Sequence, residues 1–265
     1  MDVSEISQPA ELLLPDAPDP WADLRRFTTA RIAIGRSGGS QRTSSLLDFR
    51  LSHARACDAV MADFDASELD ISLKNAGLET THLASAARDR RDYLLRPDHG
   101  RALAESSHKL LASQAGSARP DLVPIVSDGL SAVAAMRHAA AVLIPLLAAL
   151  KAGGWRISPV MIVPFARVKL QDEIGAAFGA RFTLMLLGER PGLGAPDSLG
   201  AYFTYQPGPD KSDADRNCVS NIRKEGLEPA LAARKIEWLL KESARSGLSG
   251  VELKDSEPNT CFSTL

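Results

Sequence analysis

At 265 residues, the chain is long enough to bury a core without disulfide staples. It is 45% apolar and 24% charged, with a net charge of −2 and no Lys/Arg-rich stripe, which argues against a nucleic-acid binder. Its three cysteines, Cys57, Cys218 and Cys261, have no metal-ligand spacing, and their odd number does not suit an extracellular disulfide framework.

Residues 1–20 read as a loose lead-in, because Asp16, Pro18, Asp19 and Pro20 hinder regular structure. The start, Met1 to Pro15, is acidic and lacks the basic region of a signal peptide, so a cytoplasmic setting is expected. Residues 21–118 read as a largely helical N-terminal region. A short helix is expected over Trp21 to Arg31, followed by a flexible basic turn from Gly35 to Ser40. That turn lacks the lysine of a Walker loop, so it reads as a structural or interface turn, with ligand contact as the other reading. Thr43 to Ala59 has helical spacing, with Leu46, Leu47, Leu51 and Ala54 able to share a face. Leu83 to Ala87 is expected to begin or end a short helix, and Gly100 to Gln114 to form another. His53, His82, His99, His108 and His138 make no recognisable ligand motif and read as surface or helix-packing residues.

The segment 119–250 has a different pattern, opened by Arg119-Pro120-Asp121. A strand is expected over Leu122 to Val126, ending in Ser127-Asp128-Gly129. Ser131 to Lys151 reads as a helix closed by Gly153-Gly154, with Pro145 expected to bend or divide it. Its apolar core, Ala139 to Ala149, is too short to span a bilayer. Ile157 to Val163 reads as a strand, Gln171 to Phe178 as a helix, Phe182 to Leu187 and Ala201 to Tyr205 as strands, and Pro229 to Ser246 as the last helix. Alternating strands and helices predict an α/β fold with a mostly parallel, Rossmann-like sheet flanked by helices. Residues 251–265 read as a polar tail.

Two loops invite chemistry. SDGLS sits between a strand and a helix, but it is not the Gly-x-Ser-x-Gly elbow of hydrolases. Ser127 and Asp128 read as turn or cap residues, with backbone contact to a cofactor as the other reading. GERPGLG follows the Phe182–Leu187 strand, where open sheets build their ligand crevices. It is not G-x-G-x-x-G, and Pro191 removes one backbone donor. Glu189 can accept from amides or hydroxyls but repels phosphate, so the loop suits a ligand of mixed polarity. A tight turn with a local Glu–Arg pair remains the plainer reading.

Six segments in order carry a resemblance: ARIAIGRSGGSQRTSSLL, YLLRPDHGRAL, SDGLSA, FARVKLQDEIG, LLGERPGLGAPDSLGAYFTY and ADRNCVSNI. Together they make residues 21–250 resemble the small, or light, subunit of ethanolamine ammonia-lyase. The resemblance implies a subunit of an adenosylcobalamin-dependent lyase that converts ethanolamine to acetaldehyde and ammonia by radical chemistry. It implies a large TIM-barrel partner that supplies the substrate site, cobalamin at the interface, and an assembly built as a trimer of dimers of large–small pairs. It implies no catalytic residue and no metal ligand in this chain, inactivity of the chain alone, and base-on cobalamin, with which the absence of Asp-x-His-x-x-G agrees. Packaging in a bacterial microcompartment is a further setting consistent with the family. Carried over residue by residue, the implied cofactor contacts are Val168 of Arg167-Val168-Lys169, Glu189 of GERPG, and Cys218 of DRNC. Two departures from the family pattern stand nearby: Ala166 for a glycine and Gln171 for a glutamate.

Two other readings stay open at this point. Strand–helix alternation suits a dinucleotide-dependent oxidoreductase, against which the missing fingerprint counts. The helical first half and basic turn suit a purely structural partner subunit.

Overall fold

The structure is a computed structural model that describes residues 22–28, 30–32, 34, 36–37, 39–114 and 119–257. The expected lead-in, Cys261 and the end of the tail lie outside the described residues. The chain divides into two compact units between Ser52 and His53.

In the first unit, Ala22–Phe27 forms a 3-10 helix where an α-helix is expected. The basic turn is a small antiparallel hairpin of β1, Arg36–Ser37, and β2, Ser40–Gln41. Helix α1, Thr43–Met61, begins here and continues into the second unit. On its expected apolar face, Leu46, Leu47 and Leu51 are exposed.

The second unit is mixed α/β, as predicted, with a mostly parallel sheet and a helical N-terminal part. It continues with α2, Ala66–Asn75, and β3, Thr80–His82. Next come α3, Arg90–Leu95, and α4, Glu105–Gln114. Then β4, Leu122–Ser127, α5, Ala132–Ala152, β5, Val160–Ile162, and α6, Leu170–Phe178, follow. Last are β6, Phe182–Gly188, β7, Leu199–Tyr205, β8, Arg216–Ile222, and α7, Pro229–Ser246.

The six strands run in the order β3-β5-β4-β6-β7-β8. The first four are mutually parallel, while β7 and β8 extend the sheet antiparallel. Strands β4 and β6 are buried on both faces, as their near-continuous apolar runs require. Along β6, Leu184 and Leu186 face the layer containing α5 and α7, while Met185 and Leu187 face the layer containing α6. Helix α5 is long and apolar enough, by composition, to cross a membrane. Here it is the central core helix, with buried residues from Ala132 to Leu150 packed in the larger apolar cluster.

Two expected helices are corrected. Leu83 to Ala87 is extended rather than helical: the Leu83 N–H donates to Ile162 O at 2.9 Å, and Ser85 bridges Leu103. The same pairing breaks the helix expected from Gly100, since Ala102 is extended and Ala104 N–H donates to Ala84 O at 2.9 Å. That segment keeps only a 3-10 turn, His99–Arg101, before α4 begins. Of the two effects expected of Pro145, division of α5 does not occur: the helix runs on as one element, and buried side chains on both sides outweigh a lost backbone bond costing about 3 kcal/mol. Strands β3 and β8 have no sequence-level counterpart; both become strands by pairing with distant segments.

Candidate ligand site at the open end of the sheet

One row of side chains crosses the entire sheet. Register places Thr81 beside Met161, then Ile125, Met185, Tyr202 and Cys218. Met161, Ile125 and Met185 are fully buried in the layer containing α6. The row emerges at its far end, where Tyr202 is half-buried and Cys218 exposed. The antiparallel extension therefore creates sheet surface that α6 leaves open.

A cavity of about 400 Å³ lies against that surface. Tyr202, Arg216 and Cys218 line its sheet side, and Arg167, Val168 and Lys169 line the loop side. Arg101 and Asp213 complete the lining. Val168 and Cys218, two of the expected cofactor contacts, thus share one cavity. Glu189, the third, does not line it.

Glu189 sits beside the cavity and is firmly held. Its backbone N–H donates to Ser198 O at 2.9 Å, and its Oε2 accepts from Ser198 Oγ at 2.5 Å and from Asn221 N at 3.3 Å. Its partners are Ser198 and Asn221, not the adjacent Arg190. Gly200 makes room for this carboxylate: a Cβ there would lie 2.7 Å from Glu189 Oε1. Glu189 is near enough to Tyr202 and Cys218 to oppose the ionisation of both. Burial against the protein pushes the Cys218 thiol up to about 11, a hydrogen bond with Tyr202 works against that rise, and Glu189 adds to it. Burial first, then the Cys218 and Glu189 charges, raise the Tyr202 phenol. Both groups are therefore neutral at physiological pH.

The loop side is built from below. Phe165 adopts φ 57°, a left-handed conformation unfavourable for a bulky residue. Three backbone hydrogen bonds hold the turn: Phe165 N to Asp128 Oδ1 at 2.6 Å, Ala166 N to Ser127 Oγ at 3.0 Å, and Arg167 N to Gly100 O at 2.7 Å. Ser127 and Asp128 are turn-holding residues, though the turn they hold belongs to β5 rather than to their own strand. Asp128 is fully buried and pairs with Arg90 at 2.6 Å, while Arg90 also donates to Gly129 O at 2.6 Å. Burial pushes the Asp128 carboxyl up, and Arg90 works against that rise.

These contacts also fill the turn after β4, where β5 and β6 lie on opposite sides and a doubly wound sheet would offer a crevice. Ser127, Asp128 and Ser131 are fully buried there. Ser131 Oγ accepts from Ala134 N at 3.2 Å and donates to Pro196 O at 2.9 Å, so the start of α5 is already capped. A dinucleotide pyrophosphate has no free helix terminus to meet at this turn.

The cavity floor is ionic. Arg216 donates two parallel bonds to Asp172, both 2.7 Å, and a third to Thr204 Oγ1 at 3.1 Å. Lys169 approaches the same Asp172 at 2.9 Å. Gln171, one of the departures from the family pattern, faces β6 rather than the cavity: its Oε1 accepts from Thr183 Oγ1 at 3.1 Å, and its buried Nε2 has no partner. Tyr202, Arg216, Asp172 and Arg101 are functional candidates that sequence reasoning missed. Tyr202 and Cys218 become neighbours only through the β7–β8 register, which no local pattern reveals. Arg101 stands in YLLRPDHGRAL, one of the segments that carry the resemblance, but in a stretch that reads as helix and with no contact implied for it.

The fold is α/β, and a cavity lined by four cations opens at the extended end of its sheet. The ethanolamine ammonia-lyase light chain (EutC) family matches residues 18–254. The chain belongs to this family of ethanolamine ammonia-lyase small subunits. It is 49% identical over 247 residues to the ethanolamine ammonia-lyase small subunit of Pseudomonas fluorescens, covering 91% of this chain and 88% of that protein. Its identity to the small subunit of Azotobacter vinelandii is 49% over 244 residues, covering 91% and 90%. Its identity to that of Pseudomonas putida is 49% over 249 residues, covering 91% and 90%.

Proposed function

We propose that this chain is the cobalamin-covering subunit of an adenosylcobalamin-dependent ethanolamine ammonia-lyase, working with a large subunit that holds the substrate. The carrying observation is that Val168 and Cys218, far apart in sequence, line one cavity with Glu189 fixed beside it. The lining suits the periphery of a corrinoid. Val168 and Tyr202 offer apolar surface, Glu189 offers an acceptor for amide N–H or hydroxyl groups, and the arginines offer donors. The cavity is too small to enclose a corrin with its side arms, so a second surface has to close the site. A large subunit supplies that surface in this reading.

When bound, the cofactor supplies the radical that starts the reaction. This chain's residues bind, orient and shield. Val168 sets the shape of the wall, and Glu189 fixes the orientation of a polar arm. The Cys218 side chain would pack against the cofactor as a small soft group. No residue of this chain acts as a base in the chemical step. The site works in the cytoplasm, free or inside a microcompartment.

The test is the assembled large–small complex, passed over a sizing column with hydroxocobalamin and followed by corrin absorbance. Wild type retains the corrin, while Val168→Asp and Glu189→Gln lose retention although the subunits still coelute. Undiminished retention in both variants would show that the cofactor lies elsewhere.

A further inference from the structure

The charges around the cavity do not balance. Four cations line it: Arg101, Arg167, Lys169 and Arg216. Asp172 takes two of them, Arg216 through paired 2.7 Å bonds and Lys169 at 2.9 Å. Asp213, the acid of the lining, approaches Arg216 Nε at 3.3 Å. Lys169 also donates to the carbonyls of Pro209, at 2.9 Å, and Lys211. No carboxylate remains for the other two cations among the described residues. Arg101 is exposed, and its guanidinium has no hydrogen-bond or ion-pair partner there. Arg167 donates through one terminal nitrogen to Tyr93 O at 3.0 Å and stacks over the Tyr93 ring at 4.4 Å, yet its Nε is buried and unpartnered.

The two arginines are placed together deliberately by the backbone. Arg167 N donates to Gly100 O, and a Cβ at Gly100 would lie 2.8 Å from the Arg167 side chain. The His99–Arg101 turn is thereby docked on the loop that carries Arg167. A guanidinium is always charged and presents several donors in a fixed fork, which matches a phosphate better than any neutral group. Glu189 is not among the lining residues, and its carboxylate bonds to Ser198 and Asn221 rather than to either arginine.

We propose that Arg101 and Arg167 form an anion subsite of the cavity, and that the group it takes is the phosphodiester of cobalamin's nucleotide tail. This rests on the cobalamin reading above and adds the orientation of the cofactor: tail toward Arg101, corrin toward Val168 and Cys218. Arg101 is then a binding residue, and Arg167 donates through the guanidinium N–H groups that Tyr93 leaves free.

The experiment compares two corrinoids on the assembled large–small complex. One is hydroxocobalamin, and the other is dicyanocobinamide, which lacks the phosphodiester and the base. Affinity is read from corrin absorbance after equilibrium dialysis. Arg101→Met keeps the aliphatic stem and removes the charge; it is expected to weaken cobalamin about tenfold, as losing one charge-assisted contact does. The same variant leaves cobinamide affinity unchanged, and Arg101→Lys recovers part of the loss. Equal weakening of both ligands, or of neither, overturns the anion subsite while leaving the cobalamin reading in place. Wild type that binds neither corrinoid removes the cobalamin reading, and the phosphodiester assignment with it.

Discussion

Arg216 on β8 and Asp172 on α6 are joined by two parallel hydrogen bonds of 2.7 Å, both side chains nearly inaccessible to solvent. This pair ties the last strand of the sheet to the helix beneath the cavity. Asp172→Asn removes one charge and strands Arg216 in a desolvated site. A loss of about 3 kcal/mol is expected, typical of breaking one side of a buried pair. Urea unfolding measures it, and a loss below about 1 kcal/mol, the range of exposed pairs, would show that solvent reaches Arg216.

Asp128 governs a turn that is remote in sequence. Asp128→Ala removes the acceptor for Phe165 N and leaves Arg90 without its carboxylate. The Phe165 amide then exchanges its hydrogen faster, while amides in α7 are unaffected. Uniform acceleration across the unit would mean global destabilisation rather than release of this turn. Because Arg167 and Val168 follow directly, corrin retention should fall as well.

Glu189 and Cys218 interact electrostatically. With its thiol held at about 11, Cys218 alkylation by iodoacetamide should rise steeply only in strongly alkaline solution. Glu189→Gln removes a negative charge that opposes the thiolate, so the midpoint moves to lower pH. A midpoint that stays put in the variant would place Glu189 too far away to matter. Mass spectrometry separates Cys218 from Cys57 and Cys261 in the same sample.

Gly200 is needed for space rather than for a special backbone angle. Adding a methyl in Gly200→Ala brings carbon within 2.7 Å of Glu189 Oε1 and 2.8 Å of the Tyr202 ring. A destabilisation of about 1–3 kcal/mol is expected from such overpacking. Corrin retention by the complex should drop with it, since Glu189 has to move. Thermal unfolding alongside the retention assay reads both effects.

Asp70 anchors α2 to β3. Lys74 at 2.7 Å is the main cause of its lowered carboxyl pKa, and Thr80 and His82 add to it, holding it at about 2. A depressed carboxyl stabilises the fold above its unfolded value near 4 and loses that contribution as pH falls toward 2. Asp70→Asn should therefore be less stable than wild type at pH 7, with the difference shrinking between about pH 4 and 2. A gap that stays constant across that range would show that Asp70 acts through packing instead.

Several elements were legible because their signals are local. Helix α7 spans the expected residues, beginning at Pro229 and closed by Gly247 in a left-handed conformation. Helix α5 starts after the Ser131 cap, and β4 and β6 are continuous apolar runs of strand length. Strands β3 and β8 were not legible. Thr80–His82 is only three residues long, and β8 alternates irregularly between buried and exposed positions. Each is a strand because another strand supplies its hydrogen bonds.

The candidate site divides in the same way. The amino-acid order alone determined the helices with clear caps, the buried strands and the family to which the chain belongs, since each is carried by contiguous residues. Only the tertiary structure decided that Val168 and Cys218 share a cavity, that Glu189 stands beside it, and that Arg101 joins it without a counter-charge. Strand register and side-chain charge balance are relations between distant segments. Neither exists until the sheet has formed.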